Sequence, residues 1–389
     1  MNIKSKKICM FLYGEIEHDG RVQRAAEALG RVFEVIVFSV DSGKKYKGVN
    51  FAIKYISLPN IKLKLFKILR HLGFWLKVYL KVIKFHPSAI YAHDYFTIFP
   101  SYIISYLLKV KIIYDSHELI MPDKSKRQRL SNLFWYLLEK CVINRIDMII
   151  TANNERANIM QNYYNLKKKP IIIRNIPRIA KKNIDIKKIL CVYPQLLDIE
   201  NNSIKIVYQG SITLERGIDK FILAMKYLKC NFKLLLIGSG PDIKIIKQLV
   251  KNNGLNKQVF FLGKIPIEHV FSILKICEIG VVTYSYKGLN NIYCAPNKIY
   301  EYAQAGLPII TTCQPTLKNI IGKYKIGILI NKYKENNNEI FAKNISMAIM
   351  NLADNSEKYR KNIPKFIQDH KWSKEQKVLI DTVIECVKS

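Results

Sequence analysis

Short apolar runs alternate with longer amphipathic stretches along the whole chain. Thirteen of the runs have the length of a strand and are rich in Ile and Val, which is typical of parallel strands buried on both faces. Examples are KICMFLYG, KIIYDS and FKLLLIG. Stretches of helical periodicity, such as RVQRAAEALGRV and DIKIIKQLVKNNG, lie between them. The alternation predicts an α/β protein with two doubly wound domains in series.

One polar stretch interrupts this rhythm and predicts the domain boundary. Residues 178–203 include RIAKKNIDIKK and LLDIENNS, which lack strand character. We assign residues 1–185 to an N-terminal Rossmann-like domain and residues 186–370 to a second domain of the same kind. The segment 371–389 is predicted to be a C-terminal helix with Ser373 as its N-cap.

The residues that directly follow the predicted strands are the candidates for a binding site. Doubly wound sheets bind ligands beyond the carboxyl ends of their strands. Glycine at such a position permits a close approach of the backbone to a ligand, and His and Asp supply titratable groups. The residues found there are Gly14, His93, Asp94, Asp115, His117, Gly210, Gly238 and Gly263.

The composition excludes several classes of protein. Hydrophobic residues make up 49% of the 389 residues and no tract is of low complexity, so a largely disordered chain is excluded. The eight cysteines form no CxxC pair and have no metal-ligand spacing to a histidine, which indicates reduced thiols in a cytosolic protein. The longest apolar stretch, YFTIFPSYIISYLL, is too short to span a bilayer, so we expect a soluble or peripheral protein.

The chain is strongly basic, with 63 Lys or Arg against 30 Asp or Glu and a formal charge of +33. Such a charge suggests an anionic partner, either nucleic acid, phospholipid or a phosphorylated substrate. A general richness in Lys is the alternative, because residues 1–180 carry +18 and the remainder carries +15. One window differs from the rest: between Asp41 and Asp94 there are 11 Lys or Arg and no acidic residue.

That window contains a predicted basic amphipathic helix at residues 61–87, which has basic side chains at helical spacing beside an apolar face with Phe74 and Tyr79. Such a helix can lie on an anionic membrane surface. The alternative is a helix that packs on the sheet of its own domain and exposes its lysines to water. The residues predicted to face a membrane are Lys67, Arg70, Trp75, Lys77, Lys81 and Lys84.

Three stretches of the second half place candidate ligand-binding residues at the ends of predicted strands. In YQGSITLERGIDKF, Gly210 follows a strand and Arg216 stands where a helix begins, a position that suits a phosphate. In LLLIGSGPD, Gly238 marks a second strand-to-helix turn. In PNKIYEYAQAGLPII, Pro296 fits the first turn of a helix whose Glu301 can accept hydrogen bonds from a ribose. An ordinary surface arginine and a carboxylate that complements the helix dipole are the alternatives.

Taken in order, these stretches resemble the donor-binding half of glycosyltransferase family 4, which are retaining enzymes. The order is Gly-loop-Arg-Gly, IGSGP, VFFLGKIPIEHV and a Lys-x-x-Glu-x-x-x-x-Gly-x-Pro helix, and the first half is similar in DGRVQRAAEALGRVFEVIVF, AHDYFTI and IIYDSHEL. The resemblance implies the α/β GT-B fold, with two doubly wound Rossmann-like domains facing across a cleft and a C-terminal helix returning toward the N-domain. It implies that the N-terminal domain binds the acceptor and that the C-terminal domain binds a nucleotide-sugar donor.

The resemblance also implies roles for single residues. Arg216 takes the position of the basic residue that neutralises the donor diphosphate, and Glu301 that of the second glutamate of an E-x7-E motif, which binds the ribose. His117 matches the histidine that faces the transferred sugar, and these three residues form the expected catalytic set. The other donor-binding residues are Gly14, Gly210, Ser211, Gly238, Gly263, Ile265, Asn297 and Lys298, and the acceptor-side residues are Asp19, Arg21, His93 and Asp94.

Two positions depart from the family pattern. Tyr293 stands where the first glutamate of the motif would fall, and Ser211 stands where an arginine often follows the loop glycine. Both departures remove groups that would contact the donor sugar and phosphate, so the identity of the sugar stays open. The sequence YCAPNK nevertheless resembles a recurring branch of the family.

The resemblance implies transfer of a hexosyl-type sugar from a nucleotide diphosphate donor, UDP- or GDP-linked, with retention of anomeric configuration. The acceptor would be a hydroxyl of a lipid-linked or surface glycan in the biosynthesis of capsule, lipopolysaccharide or a similar polysaccharide. Neither a metal nor a cofactor is expected, because cationic side chains and helix ends stabilise the leaving diphosphate. We expect a cytoplasmic protein that is peripheral on the inner face of the cell membrane.

Three alternatives to this function stay open. One is a sugar-nucleotide epimerase or hydrolase on the same fold, and another is a catalytically silent scaffold in glycan assembly, which Tyr293 and Ser211 favour. The third is a nucleic-acid-binding protein, prompted by the +33 charge. Against the third, the sequence contains no recognisable nucleic-acid motif, so we expect no nucleic-acid partner.

Overall fold

The computed structural model describes residues 5–59, 67–123, 130–178, 184–200, 202–330 and 338–389. The chain forms two compact units, of which the first comprises Met1–Asn175 with Trp372–Ser389 and the second comprises Ile176–Lys371. The first unit ends at Asn175, whereas the sequence placed the boundary after residue 185. The reason lies in packing, because Ile176 is fully buried in the hydrophobic core of the second unit.

The first unit is built on a parallel sheet of seven strands in the order β3-β2-β1-β4-β5-β6-β7. Its strands correspond to the seven apolar runs of the first half, because a parallel strand buried on both faces needs a continuous apolar sequence. The strands are β1 (Lys7–Leu12), β2 (Glu34–Val40), β3 (Ala52–Ile56), β4 (Ala89–His93), β5 (Lys111–Ser116), β6 (Met148–Thr151) and β7 (Ile171–Ile172).

Helices cover both faces of this sheet. They are α1 (Gly20–Leu29), α2 (Lys67–Ile83), α3 (Tyr95–Leu108), α4 (Leu130–Val142) and α5 (Asn154–Tyr164). α1 packs on one face, and α2 and α3 pack on the other through Phe74, Val78, Val82 and Ile104. α4 is the neighbour of α3 in that second layer, where Glu139 accepts a hydrogen bond of 2.8 Å from Tyr114 of β5.

The second unit repeats the design with six parallel strands in the order β10-β9-β8-β11-β12-β13. Its strands are β8 (Ile204–Gln209), β9 (Phe232–Ile237), β10 (Val259–Gly263), β11 (Ile279–Val282), β12 (Ile309–Thr312) and β13 (Gly327–Ile330). Its helices are α6 (Ile186–Val192), α7 (Ile218–Ala224), α8 (Ile243–Asn252), α9 (Ile267–Lys275), α10 (Leu289–Ile292), α11 (Lys298–Gln304), α12 (Pro315–Tyr324), α13 (Asn338–Asp354), α14 (Ser356–Arg360) and α15 (Ile363–Asp369). The predicted α/β class and both doubly wound sheets are therefore confirmed.

The C-terminal helix α16 (Trp372–Lys388) returns to the first unit, as predicted. Leu379 and Val383 are fully buried in the core beside α1. The carboxylate of Glu375 accepts hydrogen bonds from the backbone N–H of Arg174, at 2.7 Å, and from its guanidinium, at 2.9 Å. The helix begins at Trp372, so Ser373 lies inside its first turn and the predicted N-cap was wrong. Within the described residues, no helix is both long and apolar enough to cross a membrane.

Candidate functional site

In the first unit, candidate residues gather where the strand order reverses between β1 and β4. Ligands of doubly wound sheets bind at this kind of position, beyond the carboxyl ends of the strands. The pairing of β1, β4 and β5 aligns Leu12 with His93 and His93 with Asp115. The residues that follow these strand ends along the chain include Gly14, Asp94 and His117.

Asp115 is the centre of this group and is almost completely buried. Arg21 donates from Nη2 to Oδ1 at 2.7 Å and from Nε to Oδ2 at 3.0 Å, and the Tyr91 hydroxyl donates to Oδ2 at 3.3 Å. Burial by itself would raise the pKa of Asp115, but the Arg21 guanidinium and His117 outweigh it and hold that pKa well below its usual range. Asp115 is therefore a permanent buried negative charge.

Arg21 spans from α1 to the sheet and is also buried in these contacts. Besides binding Asp115, it donates from Nη1 to the carbonyl oxygen of Ile173 at 2.8 Å. Asp19, two residues earlier, caps α1 by accepting from the N–H groups of Arg21 and Val22 at 3.1 Å. The structure thus gives both residues internal contacts, and their predicted contact with an acceptor stays a prediction.

Two histidines face Asp115, and their pKa values are shifted in opposite directions. His93 Nδ1 lies 3.3 Å from His117 Nε2, and His117 Nε2 lies 3.7 Å from Asp115 Oδ2. Burial, assisted by His117, lowers the pKa of His93 to about 3, so His93 is neutral. Burial also opposes a charge on His117, but the charge of the nearby Asp115, together with Asp19 and Asp94, outweighs it and raises the pKa of His117. Of the two histidines, His117 is therefore the more readily protonated.

Asp94 has a strained backbone beside this pair. Its φ of 62° and ψ of 166° fall in a region that is almost restricted to glycine. Its N–H donates to the carbonyl oxygen of Asp115 at 3.0 Å. Its carboxyl group accepts from the backbone N–H groups of Tyr95 and Glu118, whereas Oδ1 is buried and has no hydrogen-bond partner among the described residues. Burial raises the pKa of Asp94 to about 6, against the opposing effect of His117. Such strain and an unpaired oxygen are typical of a functional carboxylate.

His93, Asp115 and His117 also have ligand atoms within 4.8 Å of one another, a spacing that could hold a metal ion. Arg21, however, already contacts both oxygens of Asp115 and supplies its counter-charge. A cation at this position would lie against the guanidinium. The geometry therefore favours a closed ionic cluster of protein groups.

In the second unit the strand order reverses between β8 and β11, and three loops converge beside this reversal. Backbone hydrogen bonds join them, from Gly210 N–H to the Ile237 oxygen at 2.9 Å and from Gly238 N–H to the Gly263 oxygen at 2.7 Å. Gly238 has a φ of 133°, and a Cβ there would collide with the carbonyl oxygen of Gly210. Glycine at 238 is thus required for the loops after β8 and β9 to touch.

Arg216 lies in a short 3-10 turn, Leu214–Arg216, which Gly217 ends with a φ of 70°. Its guanidinium carbon lies 4.2 Å from the centroid of the Tyr284 ring, a cation–π contact. Its Nη1 is buried without a hydrogen-bond partner, and none of the described acidic residues forms an ion pair with it. The positive charge is therefore held in place by an aromatic face without being neutralised.

Tyr284 follows β11, on the other side of the reversal from Arg216. Its backbone is fixed from two sides, because its N–H donates to Thr312 Oγ1 at 3.1 Å and its oxygen accepts from Gln314 Nε2 at 2.7 Å. The short helix α10 is tied to the arginine turn, since its Asn291 Nδ2 donates to Glu215 Oε1 at 2.9 Å. Arg216 and Tyr284 therefore stack across the point where the strand order reverses, and hydrogen bonds fix the backbone on which Tyr284 is carried.

Glu301 lies in the first turn of α11 and is mostly buried. Its carboxylate accepts from Asn297 Nδ2 at 3.2 Å and pairs with Lys298 Nζ at 3.2 Å. α11 begins at Lys298, so Pro296 lies before the helix and not in its first turn as predicted. The N–H of Gln209 donates to the Tyr302 hydroxyl at 2.9 Å, which holds α11 beside the strand end that precedes Gly210.

Two of the predicted donor residues have other contacts. The side chain of Ile265 packs against the hydrophobic core of the second unit. Ser211 is exposed, and its carbonyl oxygen accepts from the Tyr208 hydroxyl at 2.7 Å. Neither contact tests a role in donor binding.

The predicted basic stripe lies on α2, and the beginning of the predicted helix, residues 61–66, falls outside the described residues, as does the side chain of Lys67. Lys77, Lys81 and Lys84 are exposed and Arg70 is half-buried. Trp75 is turned inward, because its indole N–H donates to the Phe96 oxygen at 3.2 Å and its ring packs against the neighbouring helices. The apolar residues predicted beside the stripe therefore belong to the interior, and Trp75 does not extend its outer surface.

Two residues that organise these sites were not assigned roles from the sequence. Asp115 was noted only as a residue after a strand, and its signal is a charged residue inside an otherwise apolar run. Tyr284 belongs to no motif. Its only signal is its position directly after β11, the strand that lies beside β8 where the order reverses.

Comparison with known proteins agrees with this architecture. The family model described as glycosyl transferases group 1 matches residues 193–366, and the model described as Glycosyltransferase Family 4 matches residues 21–176. The Anabaena protein HepE, solved with UDP and with UDP-glucose, superposes with a TM-score of 0.71 at 14% identity and covers 98% of this chain and 100% of its own. WaaG, a glycosyltransferase involved in lipopolysaccharide biosynthesis, gives a TM-score of 0.70 at 14% identity, with 96% and 99% covered.

A sequence relative is an uncharacterised glycosyltransferase of Methanocaldococcus jannaschii. It is 26% identical over 187 residues, which is 46% of this chain and 46% of that protein. The match thus spans about half the length of that curated relative. At these identities the solved structures establish the fold.

Proposed function

The chain belongs to the glycosyl transferases group 1, of the family 4 type with the GT-B fold, and from this premise we propose that it transfers a sugar from a nucleotide diphosphate donor. The observation that carries the proposal is the guanidinium of Arg216, held at the strand-order reversal of the second unit with no acidic partner among the residues that the structure describes. A diphosphate is the kind of ligand that such a charge binds. The likeness to a fold solved with UDP-glucose supports the same ligand class.

The donor belongs to the second unit in this proposal. Arg216 contacts the diphosphate, and its charge counts most as negative charge builds on the leaving group. Glu301 accepts hydrogen bonds from the ribose, and Lys298 and Asn297 orient its carboxylate. The glycine loops after β8, β9 and β10 give the nucleotide close access to the backbone. UDP- and GDP-sugars are the donors we expect, with a hexose as the transferred group.

The acceptor and the proton chemistry belong to the first unit. Asp115 faces His117 and raises its pKa, which favours the protonated ring that donates a hydrogen bond to a sugar oxygen. Asp94 has a free oxygen and a pKa raised to about 6, so above that pH it can accept a hydrogen bond from the attacking hydroxyl. We propose front-face attack with oxocarbenium character and retention of configuration, without a protein nucleophile, metal or cofactor.

The acceptor we propose is a hydroxyl of a lipid-linked or surface glycan, and the place of work is the inner face of a cell membrane. The exposed lysines 77, 81 and 84 support this location, because each lysine near an anionic surface contributes about 1 kcal/mol. The likeness in fold to a lipopolysaccharide enzyme is consistent with such an acceptor. Co-sedimentation with anionic and neutral vesicles tests the location, and equal binding to both would contradict it.

A panel of nucleotide sugars tests the proposal as a whole. A donor that binds only the native state raises the melting temperature, by an amount that grows with its concentration over its Kd. We expect UDP- or GDP-sugars to do so and ATP not to, and we expect the selected donor to release its nucleoside diphosphate faster when a lipid-linked glycan is added. A protein that no nucleotide sugar stabilises would contradict the proposal.

The same panel separates the alternatives. Complete release of nucleotide without any acceptor indicates a hydrolase, and formation of a new sugar nucleotide or free epimer indicates an epimerase. Binding without turnover on any acceptor, in wild type and in a variant with Glu restored at position 293 (Tyr293→Glu), indicates a scaffold.

A further inference from the structure

The outward side of α2 carries a row of leucines. Leu69, Leu72, Leu76 and Leu80 are 52%, 47%, 61% and 56% exposed. Their spacing of three and four residues places them along one line of the helix. The inward side is filled by Phe74, Val78 and Val82, so α2 is apolar on both sides and only one side is buried.

The two neighbouring helices continue this surface. α3 contacts α2, and α4 contacts α3, in one layer on the sheet. Large apolar residues of both helices are exposed, among them Tyr106 at 72% and Leu130 at 86%. We call the whole set the outer apolar face; besides the four leucines of α2 it comprises Ile103, Tyr106, Leu107, Leu130, Leu133, Phe134 and Leu137. A soluble protein rarely leaves an apolar surface of this extent uncovered unless a partner binds it.

The exposed charges on α2, α3 and α4 have one sign, and Asp147 lies at the edge of this layer beside Tyr106 and Leu107. α2, α3 and α4 together contain a single acidic residue, Glu139. Glu139 is buried and accepts hydrogen bonds from Tyr114 and Tyr164 at 2.8 and 3.0 Å, so it contributes no exposed charge. The exposed cations of this layer and its edges are Lys77, Lys81, Lys84, Lys109 and Lys140.

We propose that the outer apolar face inserts into the interfacial region of an anionic bilayer. An amphipathic surface of this kind buries its apolar side chains at the boundary of headgroups and acyl chains, while its lysines contact the anionic headgroups. A second copy of the chain fits less well, because a two-fold contact through this face would place the lysines of both copies together. Insertion of apolar side chains differs from attraction between lysines and phosphates, because salt screens the attraction but does not remove the apolar contribution to binding.

The inference is independent of the donor site, because every residue of the outer apolar face belongs to the first unit. Vesicle binding and nucleotide binding can therefore fail separately. Nucleotide binding without vesicle binding would overturn the inference and the proposed membrane location but leave the donor site standing. Vesicle binding without nucleotide binding would overturn only the proposed donor site.

The test replaces exposed leucines of α2 and measures binding of the whole chain to phosphatidylglycerol–phosphatidylcholine vesicles. The variant Leu72→Ser/Leu76→Ser/Leu80→Ser should need at least about tenfold more lipid for half-binding, since each leucine loses apolar burial. The matched control is Leu197→Ser/Ile245→Ser/Ile267→Ser, which changes residues of the second unit that are 64%, 56% and 76% exposed. It should bind vesicles as the wild type does.

Salt separates insertion from charge attraction. At about 0.5 M salt, where the Debye length is only a few Å, the wild type should keep a measurable part of its binding and the leucine variant should not. Lys77→Gln/Lys81→Gln/Lys84→Gln should lose the preference for anionic lipid but keep the salt-resistant part. Equal binding of the leucine variant and its control would overturn the inference, as would a wild-type dimer that the leucine variant converts into a monomer.

Discussion

The two units place their candidate residues at the same topological position but hold them by different means. At the reversal of the first sheet, charged side chains hold one another, with Asp115 bound by Arg21 and faced by His93 and His117. At the reversal of the second sheet, backbone contacts between glycine loops set the shape. There Arg216 rests on an aromatic ring instead of a carboxylate.

The difference follows from what each site has to do in the proposed function. Burial and neighbouring charges shift pKa values, and the first unit accordingly has raised pKa values at both His117 and Asp94. A site for a diphosphate needs positive charge that is not yet neutralised and room for oxygens close to the backbone. The first unit is therefore suited to proton chemistry and the second to anion binding.

The largest effect is expected from the histidine of the first unit. His117→Ala should reduce the rate of sugar transfer by about 100-fold or more, because a positioned acid or base contributes about 10²–10⁴-fold. The measurement is kcat with the donor selected by the panel. His18→Ala, at an exposed histidine of the same unit, is the matched control and should keep full activity. Near-normal turnover of His117→Ala would remove the histidine from the reaction.

The raised pKa of Asp94 predicts that Asp94→Asn is more stable than the wild type at neutral pH. Because burial raises the pKa of Asp94 to about 6, the folded state binds more protons than the unfolded chain between about pH 4 and pH 6. Stability is therefore lost as pH rises through that window, by about 2–3 kcal/mol. Asp94→Asn should unfold at a higher temperature than wild type above pH 6, and this advantage should shrink to its minimum near pH 4.

Thermal unfolding of both proteins from pH 4 to pH 8 checks this expectation. The rate of sugar transfer provides a second readout, since Asp94→Asn should transfer sugar more slowly than the wild type while being more stable. An advantage of Asp94→Asn that does not change with pH would contradict the raised pKa of Asp94.

Replacing Arg216 of the second unit should lower turnover less than replacing His117. Arg216→Ala is expected to lower kcat by at least about tenfold, or about 1.4 kcal/mol, because the charge on the leaving diphosphate peaks in the transition state. Arg216→Lys keeps the charge and should retain more activity. If Arg216→Ala turns over at the wild-type rate, the diphosphate lies elsewhere.

The smallest effect is expected from the ring that supports this cation. A cation–π contact at a partly exposed position contributes about 0.5–1 kcal/mol, so Tyr284→Leu should lower kcat only a few-fold. Tyr284→Phe keeps the ring and serves as the matched control. In a double-mutant cycle, Tyr284→Leu should add little to Arg216→Ala, because the ring acts through the arginine. Fully additive losses would separate Tyr284 from Arg216.

The sequence predicted the strands far better than the contacts. A strand buried on both faces is a continuous apolar run, so all seven strands of the first sheet and all six of the second could be located. Arg21 and Asp115 are 94 positions apart, and no local pattern reports such a pairing. For the same reason, no local sequence pattern predicts that Arg216 stacks on Tyr284.

The outer apolar face shows a second limit of sequence patterns. α2 has apolar residues around most of its circumference, so periodicity alone does not say which stripe faces the sheet. We expected an exposed apolar surface with Phe74 and Trp75, whereas packing buries Phe74 and turns Trp75 inward. The leucines of the opposite stripe, from Leu69 to Leu80, are the exposed ones.

A calorimetric titration with the nucleoside diphosphate of the selected donor tests most directly whether the second unit, and not the first, binds the donor nucleotide. Glu301→Gln should weaken binding by about 1.5–3 kcal/mol, or about ten- to a hundredfold, because the ribose loses a charged acceptor. His117→Ala should bind the nucleotide as the wild type does. The reverse outcome, with unchanged affinity in Glu301→Gln and lost affinity in His117→Ala, would contradict donor binding by the second unit.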